Sequence, residues 1–235
     1  MTAPVTVVIP TLDAERGLPG AMASLVEGVE AGLIADLVVS DGGSLDATVA
    51  MAENAGARIV TGARGRGPQI GAGVAAARAS WVLILHADTE LRPGWTEAVV
   101  AHLGRPDAAG YFRLAFRAAG FWPRIVAGWA NLRSHVFGLP YGDQGLLIHR
   151  DLLDEVGGVP SLPLMEDVAL ARALGRRLVA LDAVATTSAE RYERDGWVRR
   201  GARNLWTLAR YLCGVPPAAL VRSYDRSAGS RNCRR

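Results

Sequence analysis

The stretch Val5-Thr-Val-Val-Ile-Pro-Thr-Leu-Asp-Ala-Glu15 carries the pattern that decides the fold, because a continuous apolar run passes directly into polar and acidic residues. The segment 36–40 repeats this pattern and ends in Asp41-Gly-Gly-Ser44. Continuous apolar runs of this length predict strands that are buried on both faces, and the apolar spacing over 17–31 predicts a helix between them. A strand, a helix and a second strand of this kind indicate neighbouring parallel strands of an α/β sheet.

The same alternation continues along the chain. A third predicted strand at 57–60 leads through the glycine-rich loop 62–67 into an alanine-rich helix at 68–79, and a fourth strand follows at 81–85. The second half predicts strands at 111–116, 144–149, 178–181 and 184–187, and helices at 121–137, 165–174 and 197–213. The sequence therefore predicts a single α/β domain with a mostly parallel central sheet flanked by helices, and a basic amphipathic helix near its C-terminal end.

Composition excludes several classes of protein. The chain has 235 residues, half of them hydrophobic, and all 26 of its basic residues are arginine. A chain without lysine has neither a Schiff-base lysine nor a P-loop lysine. The spacing of Cys213 and Cys233 matches neither a disulfide framework nor a zinc site. The N-terminus lacks the basic start of a signal peptide and no segment is apolar enough to span a bilayer, so we expect a cytoplasmic location.

Polar residues follow each of the first four predicted strands, where those strands end. Ligands of open parallel sheets bind beyond the carboxyl ends of the strands, so these residues should meet at one edge. Carboxylates, glycines and arginines together suit a nucleoside diphosphate with a divalent cation. In strand order they are Asp13 and Glu15, then Asp41, Gly42 and Asp46, then Arg64 and Arg66, then His86 and Asp88. Each group alone is as typical of a turn or a helix cap, so the functional interpretation depends on their predicted proximity.

Two segments of the second half add candidates. Tyr141-Gly-Asp-Gln-Gly145 lies at the start of a predicted strand, and Glu166 and Asp167 begin the predicted helix at 165–174. Acidic residues in a first helical turn are favoured by the helix dipole without any further function. The alternative is a general base, because an acceptor hydroxyl has a high pKa and must lose its proton as it attacks. The residues alone leave both interpretations open.

The chain resembles the family 2 glycosyltransferases, which have the GT-A fold, over about residues 5–184. The resemblance rests on the order and spacing of five motifs: PTLDAE at 10–15, SDGGSLD at 40–46, GRG at 65–67, LHAD at 85–88 and MEDVAL at 165–170. A narrower resemblance, through LHADT, YGDQG and TSAERYE, is to the radical-SAM/selenodomain-associated transferases, some relatives of which carry a carotenoid-glycosyltransferase label.

This resemblance implies a metal-dependent, inverting transfer of one sugar from a nucleoside-diphosphate sugar, with a UDP-sugar favoured, to a hydroxyl acceptor. It implies Mg²⁺ or Mn²⁺ bound through Asp88, with Asp167 as the catalytic base and Glu166 orienting hydroxyl groups. The donor side would comprise Pro10, Thr11, Glu15, Asp41, Gly42, Arg66, His86 and Asp88, and the acceptor side Tyr141, Gly142, Asp143 and Gln144. The domain would span 1–224, with a nucleotide-binding part at about 1–104, an acceptor part at about 105–224 and a disordered tail at 225–235.

His86 departs from the family pattern, because it stands where the Asp-x-Asp motif has its first aspartate. This leaves the base of the donor open, and a rival role for His86 is that of a direct metal ligand beside Asp88. The Gln-x-x-Arg-Trp signature of processive synthases is not evident, so we expect transfer of one sugar and not a polymer. Two other functions stay open: a nucleotide-sugar-binding module without catalysis, and a nucleotidyltransferase, although the latter places its glycine- and arginine-rich loop after the first strand.

The C-terminal part is strongly basic. Residues 191–235 contain 11 arginines and three acids, whereas the remaining residues contain 15 arginines and 20 acids. The predicted helix 197–213 either packs with a solvated basic face or lies in a membrane interface. The second interpretation predicts peripheral contact with the inner face of the cell membrane and a lipid-like or carotenoid-like acceptor.

Aromatic residues over 121–137 are typical of a core, with Trp122 and Trp129 as candidates for an apolar acceptor pocket. No nucleic-acid-binding motif is present, so we expect no nucleic acid partner.

Overall fold

The computed structural model describes residues 3–221 and shows an α/β domain built on one eight-stranded sheet. The strands are β1 (Val5–Thr11), β2 (Ile34–Asp41), β3 (Arg58–Thr61), β4 (Trp81–Ile84), β5 (Thr89–Leu91), β6 (Ala109–Phe116), β7 (Leu146–His149) and β8 (Leu178–Thr187). The helices are α1 (Leu18–Ser24), α2 (Val26–Glu30), α3 (Thr48–Asn54), α4 (Arg66–Ala76), α5 (Trp95–His102), α6 (Phe121–Phe137), α7 (Arg150–Glu155), α8 (Glu166–Leu174), α9 (Glu190–Asp195) and α10 (Trp197–Leu212). The predicted tail at 225–235 lies outside the described residues.

The strands lie in the order β3-β2-β1-β4-β7-β6-β8-β5. The first four are parallel to one another, β7 is antiparallel to both β4 and β6, β8 is parallel to β6, and β5 is antiparallel to β8. The predicted mostly parallel sheet is therefore confirmed. Because β1, β2 and β4 run side by side in the same direction, the loops that follow them meet at one edge.

Both faces of the sheet are covered, which explains the continuous apolar run of β1. Successive side chains of a strand point to opposite faces. Val7 accordingly packs in a cluster with Trp95 of α5, while its neighbour Val8 packs in a second cluster with Ile70 of α4. Gly73 allows α4 to approach this closely, because a Cβ there would overlap the side chain of Val8.

Several elements differ from the sequence-based expectation. The predicted helix 17–31 divides at Leu25 into α1 and α2, where the Ser24 hydroxyl donates a hydrogen bond to the Ala21 carbonyl within the last turn of α1. The predicted strands 178–181 and 184–187 are one strand, β8, whose register with β6 shifts midway. Gln144 lies in a 3-10 turn, Gly142–Gln144, and β7 begins after it. The elements β5, α5, α7 and α9 had not been predicted.

None of the helices within residues 3–221 is long and apolar enough to cross a membrane.

Candidate functional site

Asp41 joins the carboxyl ends of β1 and β2. Its Oδ1 atom accepts hydrogen bonds from the hydroxyls of Thr11 (2.9 Å) and Ser44 (2.5 Å), and its Oδ2 atom accepts from the N–H groups of Gly43 and Ser44 (both 2.8 Å). Burial raises the pKa of Asp41, but these hydrogen bonds together outweigh burial and hold the pKa below its ordinary value. The carboxylate oxygens are thus occupied by protein groups, and Asp41 shapes the loop that follows β2.

The loops after β1 and β2 are tied to each other by reciprocal hydrogen bonds. The Leu45 N–H donates to Asp13 Oδ1 (2.8 Å), and the Asp13 N–H donates to the Ser44 hydroxyl (2.9 Å). Further along, the Glu15 N–H donates to Asp46 Oδ2 (3.0 Å), while Glu15 Oε2 accepts from the Ala47 N–H (3.2 Å). The two loops therefore form one connected polar surface at the edge of the sheet.

Gly42 is required by close packing. A Cβ atom at this position would lie 2.8 Å from Nε2 of the buried Gln69. That amide donates to the carbonyl oxygens of Thr11 and of Ser40 (3.3 Å to Ser40). Ser40 in turn pairs with Pro10 in the sheet. Packing of α4 beneath the loop thus fixes the donor-side residues predicted from the ends of β1 and β2.

Asp88 follows β4 and faces an open space. Its backbone carbonyl accepts from the Ser188 N–H (3.2 Å) and from Arg117 Nη2 (3.1 Å), which anchors this short segment. Its carboxylate makes no hydrogen bond or ion pair with any residue in 3–221, and it lines a cavity of about 450 Å³. Asp88 is therefore available to a ligand.

His86 is buried and neutral. Burial, with the nearby charges of Arg66 and Arg191, lowers the pKa of His86 well below its ordinary value. Its Nε2 atom has no hydrogen-bond partner among the residues that the structure describes. A Cβ atom at Gly142 would overlap this ring nitrogen, so the glycine lets the loop after α6 close over His86.

The backbone of that loop positions Asp167. The Gly142 N–H donates to Asp167 Oδ2 (2.9 Å), and the Val168 N–H donates to Oδ1 (2.8 Å). Asp167 lies in the first turn of α8, after Met165, which has a left-handed φ of 66°. A non-glycine residue held in this conformation is strained, and such strain commonly accompanies functional sites. The carboxylate is oriented by two N–H groups while it remains at the wall of the cavity.

Gln144 lies behind the loop and fixes it. Its side chain is completely buried, with Nε2 donating to the Phe112 carbonyl (3.1 Å) and Oε1 accepting from the Ser134 hydroxyl (2.6 Å) and the Tyr141 N–H (3.3 Å). Tyr141 is held from the other side by Arg133, whose guanidinium carbon lies 3.4 Å from the centre of the tyrosine ring. Burial raises the pKa of Tyr141 to about 12, so its phenol keeps its proton.

Glu166 is a buried carboxyl group with few contacts that could offset the cost of burying its charge. Only 2% of the residue is exposed, neither carboxylate oxygen has a hydrogen-bond partner within 3–221, and Arg66 Nη1 lies 3.8 Å from Oε1. Burial, with the adjacent Asp167, raises the pKa of Glu166 to about 7, and Arg66 offsets part of this rise. Burial likewise raises the pKa of Asp143 to about 6, although Arg133 counteracts it. The site thus holds two carboxyl groups whose pKa values are raised towards neutrality, close to the partnerless side chain of Asp88.

One cavity of about 450 Å³ brings His86, Asp88 and Asp167 together, whereas Asp41 and Glu166 are not among the residues that line it. Its polar floor comprises Arg66, His86, Asp88, Asp143 and Asp167. Its other walls are mostly apolar and come largely from α6 and α10, with further residues from β6 and α9. Three charged lining residues, Arg133, Arg191 and Arg200, were not predicted. Nothing in the spacing of α6, α9 or α10 separates an arginine that faces a cavity from one that faces water.

The residues fit a cation that is shared with a ligand. No group of three His, Cys, Asp or Glu side chains within 3–221 could hold a metal ion by itself. Asp88, however, offers a partnerless carboxylate, which is the oxygen ligand that Mg²⁺ and Mn²⁺ prefer. A cation at Asp88 would need further oxygen atoms, and a diphosphate carries them.

Comparison with known proteins establishes the family. The profile of Glycosyl transferase family 2 matches residues 6–143, more than half of the chain. The chain belongs to glycosyltransferase family 2. Uncharacterized glycosyltransferases of Mycobacterium tuberculosis and Mycobacterium bovis are each 30% identical to this glycosyltransferase in an alignment of length 193 that covers 76% of this chain and 83% of theirs. The family and the enzyme class expected from the sequence are confirmed, whereas the narrower resemblance to the radical-SAM-associated subgroup stays a prediction.

Solved structures confirm the GT-A fold of this family 2 member. TarS 1–349 of S. aureus, in complex with UDP-GlcNAc, is similar with a TM-score of 0.60 at 16% identity, over 79% of this chain and 58% of that one. Glucosyl-3-phosphoglycerate synthase from Mycobacterium tuberculosis, in complex with Mn²⁺, UDP and glucosyl-3-phosphoglycerate, has a TM-score of 0.58 at 18% identity, over 91% of this chain and 81% of that one. At sequence identities this low, the similarity shows only that the fold is shared.

Proposed function

We propose that this glycosyltransferase moves one sugar from a nucleoside-diphosphate sugar, with a UDP-sugar favoured, to the hydroxyl group of an apolar acceptor, with inversion at the anomeric carbon. The observation that carries the proposal is the position of Asp167. Its carboxylate is fixed by two backbone N–H groups at the wall of the cavity on whose floor the partnerless carboxylate of Asp88 lies.

In the proposed reaction Asp167 acts as the general base. The acceptor oxygen forms a bond to the anomeric carbon, the bond from that carbon to the diphosphate oxygen breaks, and the acceptor proton passes to Asp167. Hydrogen bonds from Gly142 and Val168 hold the carboxylate in a fixed orientation, so little reorganisation is needed. Glu166 is buried beside Asp167 and is not among the residues that line this cavity, so it would orient hydroxyl groups only indirectly, through Asp167 and Arg66.

The donor side of the proposal is the edge beyond β1, β2 and β4. Arg66 begins α4 and lines the cavity with His86 and Asp88, where the diphosphate would lie. A divalent cation bound at Asp88 would supply positive charge that stabilises the diphosphate as it leaves. The remaining donor-side residues are Pro10, Thr11, Glu15, Asp41 and Gly42, which are linked through the sheet and the two tied loops. This side corresponds to the nucleotide-binding part at about 1–104.

The acceptor side is the part from about 105 to 224. Tyr141, Gly142 and Asp143 line the cavity opposite the apolar residues of α6 and α10, which suits a hydroxyl group carried on an apolar body. Gln144 would act by fixing the loop. The proposal includes peripheral membrane contact through 197–213, because Val198, Leu205 and Trp206 of α10 are exposed while Arg200 is buried in an ion pair with Asp195 (3.2 Å).

The test separates binding from turnover. Wild-type protein and Asp167→Asn are compared for UDP-induced thermal stabilisation with and without Mn²⁺, and for release of UDP from UDP-sugars. We expect both proteins to bind UDP, and Asp167→Asn to lose about 10²–10⁴-fold in turnover, the usual contribution of a general base. Asp154→Asn, in an exposed position on α7, is the matched control and should retain activity.

Other outcomes would point elsewhere. Metal-dependent binding of UDP by wild-type protein that turns over no UDP-sugar with any hydroxyl acceptor would favour the binding module without catalysis. Release of pyrophosphate from a nucleoside triphosphate would favour a nucleotidyltransferase. Equal turnover by Asp167→Asn and wild type would remove Asp167 from the role of base.

A further inference from the structure

Helix α6 presents an apolar stripe to solvent. Sequence analysis treated its aromatic residues as typical of a core, yet the structure exposes them. Residues spaced by three and four along the helix share one face. On this helix the exposed apolar members are Phe121, Trp122, Ile125, Trp129, Leu132 and Val136. Exposed apolar patches of this kind mark interaction surfaces in soluble proteins.

Helix α10 extends this stripe. It packs near α6 and exposes Val198, Leu205, Trp206 and Leu212, so that two helices carry one apolar surface, here called the α6–α10 face. Trp122, Ile125 and Trp129 of α6, and Val198 and Leu205 of α10, are both exposed and part of the cavity lining. The cavity that contains Asp167 therefore opens at the α6–α10 face.

The charges of the two helices indicate what covers this face. Helices α6 and α10 contain no aspartate or glutamate, and Arg124 and Arg199 are exposed, one on each helix. Their other four arginines are buried or half-buried, and Arg200 and Arg203 pair with Asp195 of α9. Pairing of this face with a second copy of the chain would bring exposed arginines together with no acidic residue of either helix to offset them, which is unfavourable. An anionic lipid surface complements both the charge and the apolar stripe, and tryptophan is favoured at membrane interfaces.

We propose that the α6–α10 face docks on an anionic lipid bilayer, so that the acceptor passes from the bilayer directly into the cavity. This inference rests on the proposed transfer to an apolar acceptor. Docking places the mouth of the cavity against the lipid, and an acceptor can move from the bilayer to Asp167 without exposing its apolar part to water. The α6 stripe makes the principal contact, with α10 beside it.

Vesicle flotation tests the docking. The probes are vesicles of phosphatidylcholine alone and of phosphatidylcholine mixed with phosphatidylglycerol, at low and high salt. The test variant is Leu132→Glu/Val136→Glu, because these residues are 52% and 58% exposed and are not among those that line the cavity. The matched control is Val29→Glu/Val100→Glu, which adds the same charge at residues 60% and 57% exposed on α2 and α5.

We expect wild-type protein and the control to float with the anionic vesicles and less with phosphatidylcholine alone. The test variant should partition roughly tenfold or more weakly, because it loses apolar contact and adds like charge. Phe121→Ser/Val136→Ser, which adds no charge, should also bind more weakly. The proposal is overturned if wild-type protein does not float, or if the test and control variants float equally. It is also overturned if wild-type and control proteins are dimers that bind no vesicles while the test variant is a monomer.

The same proteins distinguish this inference from the proposed function. UDP-induced thermal stabilisation should be equal in wild type, test variant and control, because Leu132 and Val136 lie outside the cavity lining. Loss of vesicle binding with normal UDP binding leaves the donor site in place and isolates the docking face. Vesicle binding by a wild-type protein that binds no nucleotide would support docking and contradict the proposed donor site.

Discussion

Replacing Glu166 by glutamine should change how the stability of this protein depends on pH. The pKa of Glu166 rises from 4.5 in the unfolded chain to about 7 in the folded protein, chiefly because the group is buried. Between these values the folded state binds more protons than the unfolded state, so stability falls as pH rises. The contribution of this carboxyl group is fully present below pH 4.5 and is lost as the pH passes through about 7.

The size of the effect follows from the two pKa values. A difference of about 2.5 pH units corresponds to roughly 3 kcal/mol. Most of the loss, roughly 2.5 kcal/mol, falls between pH 5 and pH 8. Glutamine does not ionise. The stability of Glu166→Gln minus that of wild type should therefore increase by about this amount from pH 5 to pH 8.

Urea denaturation at pH 5 and pH 8 measures the difference. The matched control is Glu97→Gln, which makes the same change at an exposed position on α5. We expect the stability difference between Glu166→Gln and wild type to grow with pH, and that between Glu97→Gln and wild type to stay small. If the free energies of unfolding of Glu166→Gln and wild type change equally between pH 5 and pH 8, Glu166 ionises in the folded protein as it does in the unfolded chain. The reasoning from its burial would then be wrong.

Two further predictions concern packing at the site. Gly67→Ala should lower the free energy of unfolding by about 1–3 kcal/mol in urea denaturation, because its Cβ would overlap the backbone of Pro160 and Leu162. Gly71→Ala, in open space on the same helix, should raise it by up to about 1 kcal/mol, and equal effects of the two changes would refute the packing argument. Asp41→Ala should cost about 2–3 kcal/mol by the same measurement, since it removes the acceptor of four hydrogen bonds, and an unchanged midpoint would refute that role.

The sequence predicted the arrangement of β1 to β4 well, because local patterns determine it. Short apolar runs rich in β-branched residues, such as Val5–Thr11, favour strands buried on both faces, and parallel strands bring their carboxyl ends to one edge. The order β3-β2-β1-β4 brings the loops after β1, β2 and β4 together as expected. Elements with weak local signals were missed, among them β5, which has three residues and owes its strand conformation to pairing with β8.

The interpretation of the α6 aromatic residues as core was wrong, because it depended on the environment of the helix. Periodicity places the aromatic residues of α6 on a shared face, but it does not say whether that face meets the core or solvent. The structure turns Trp122 and Trp129 outward, and it buries Arg200 of α10, which the sequence pattern would place in water. Tertiary packing alone decides which side of an amphipathic helix is covered.

The sequence by itself determined the fold class, the family and the set of polar residues that follow the strands, because these depend on chain order and on periodicity. Only the tertiary structure decided that Asp41 is occupied by its own loop while Asp88 is left open, that burial raises the pKa of Glu166 to about 7, and that the cavity opens between α6 and α10. The physical reason is that burial, hydrogen bonding and pKa depend on neighbours that are distant in the chain and that come together only when the chain folds.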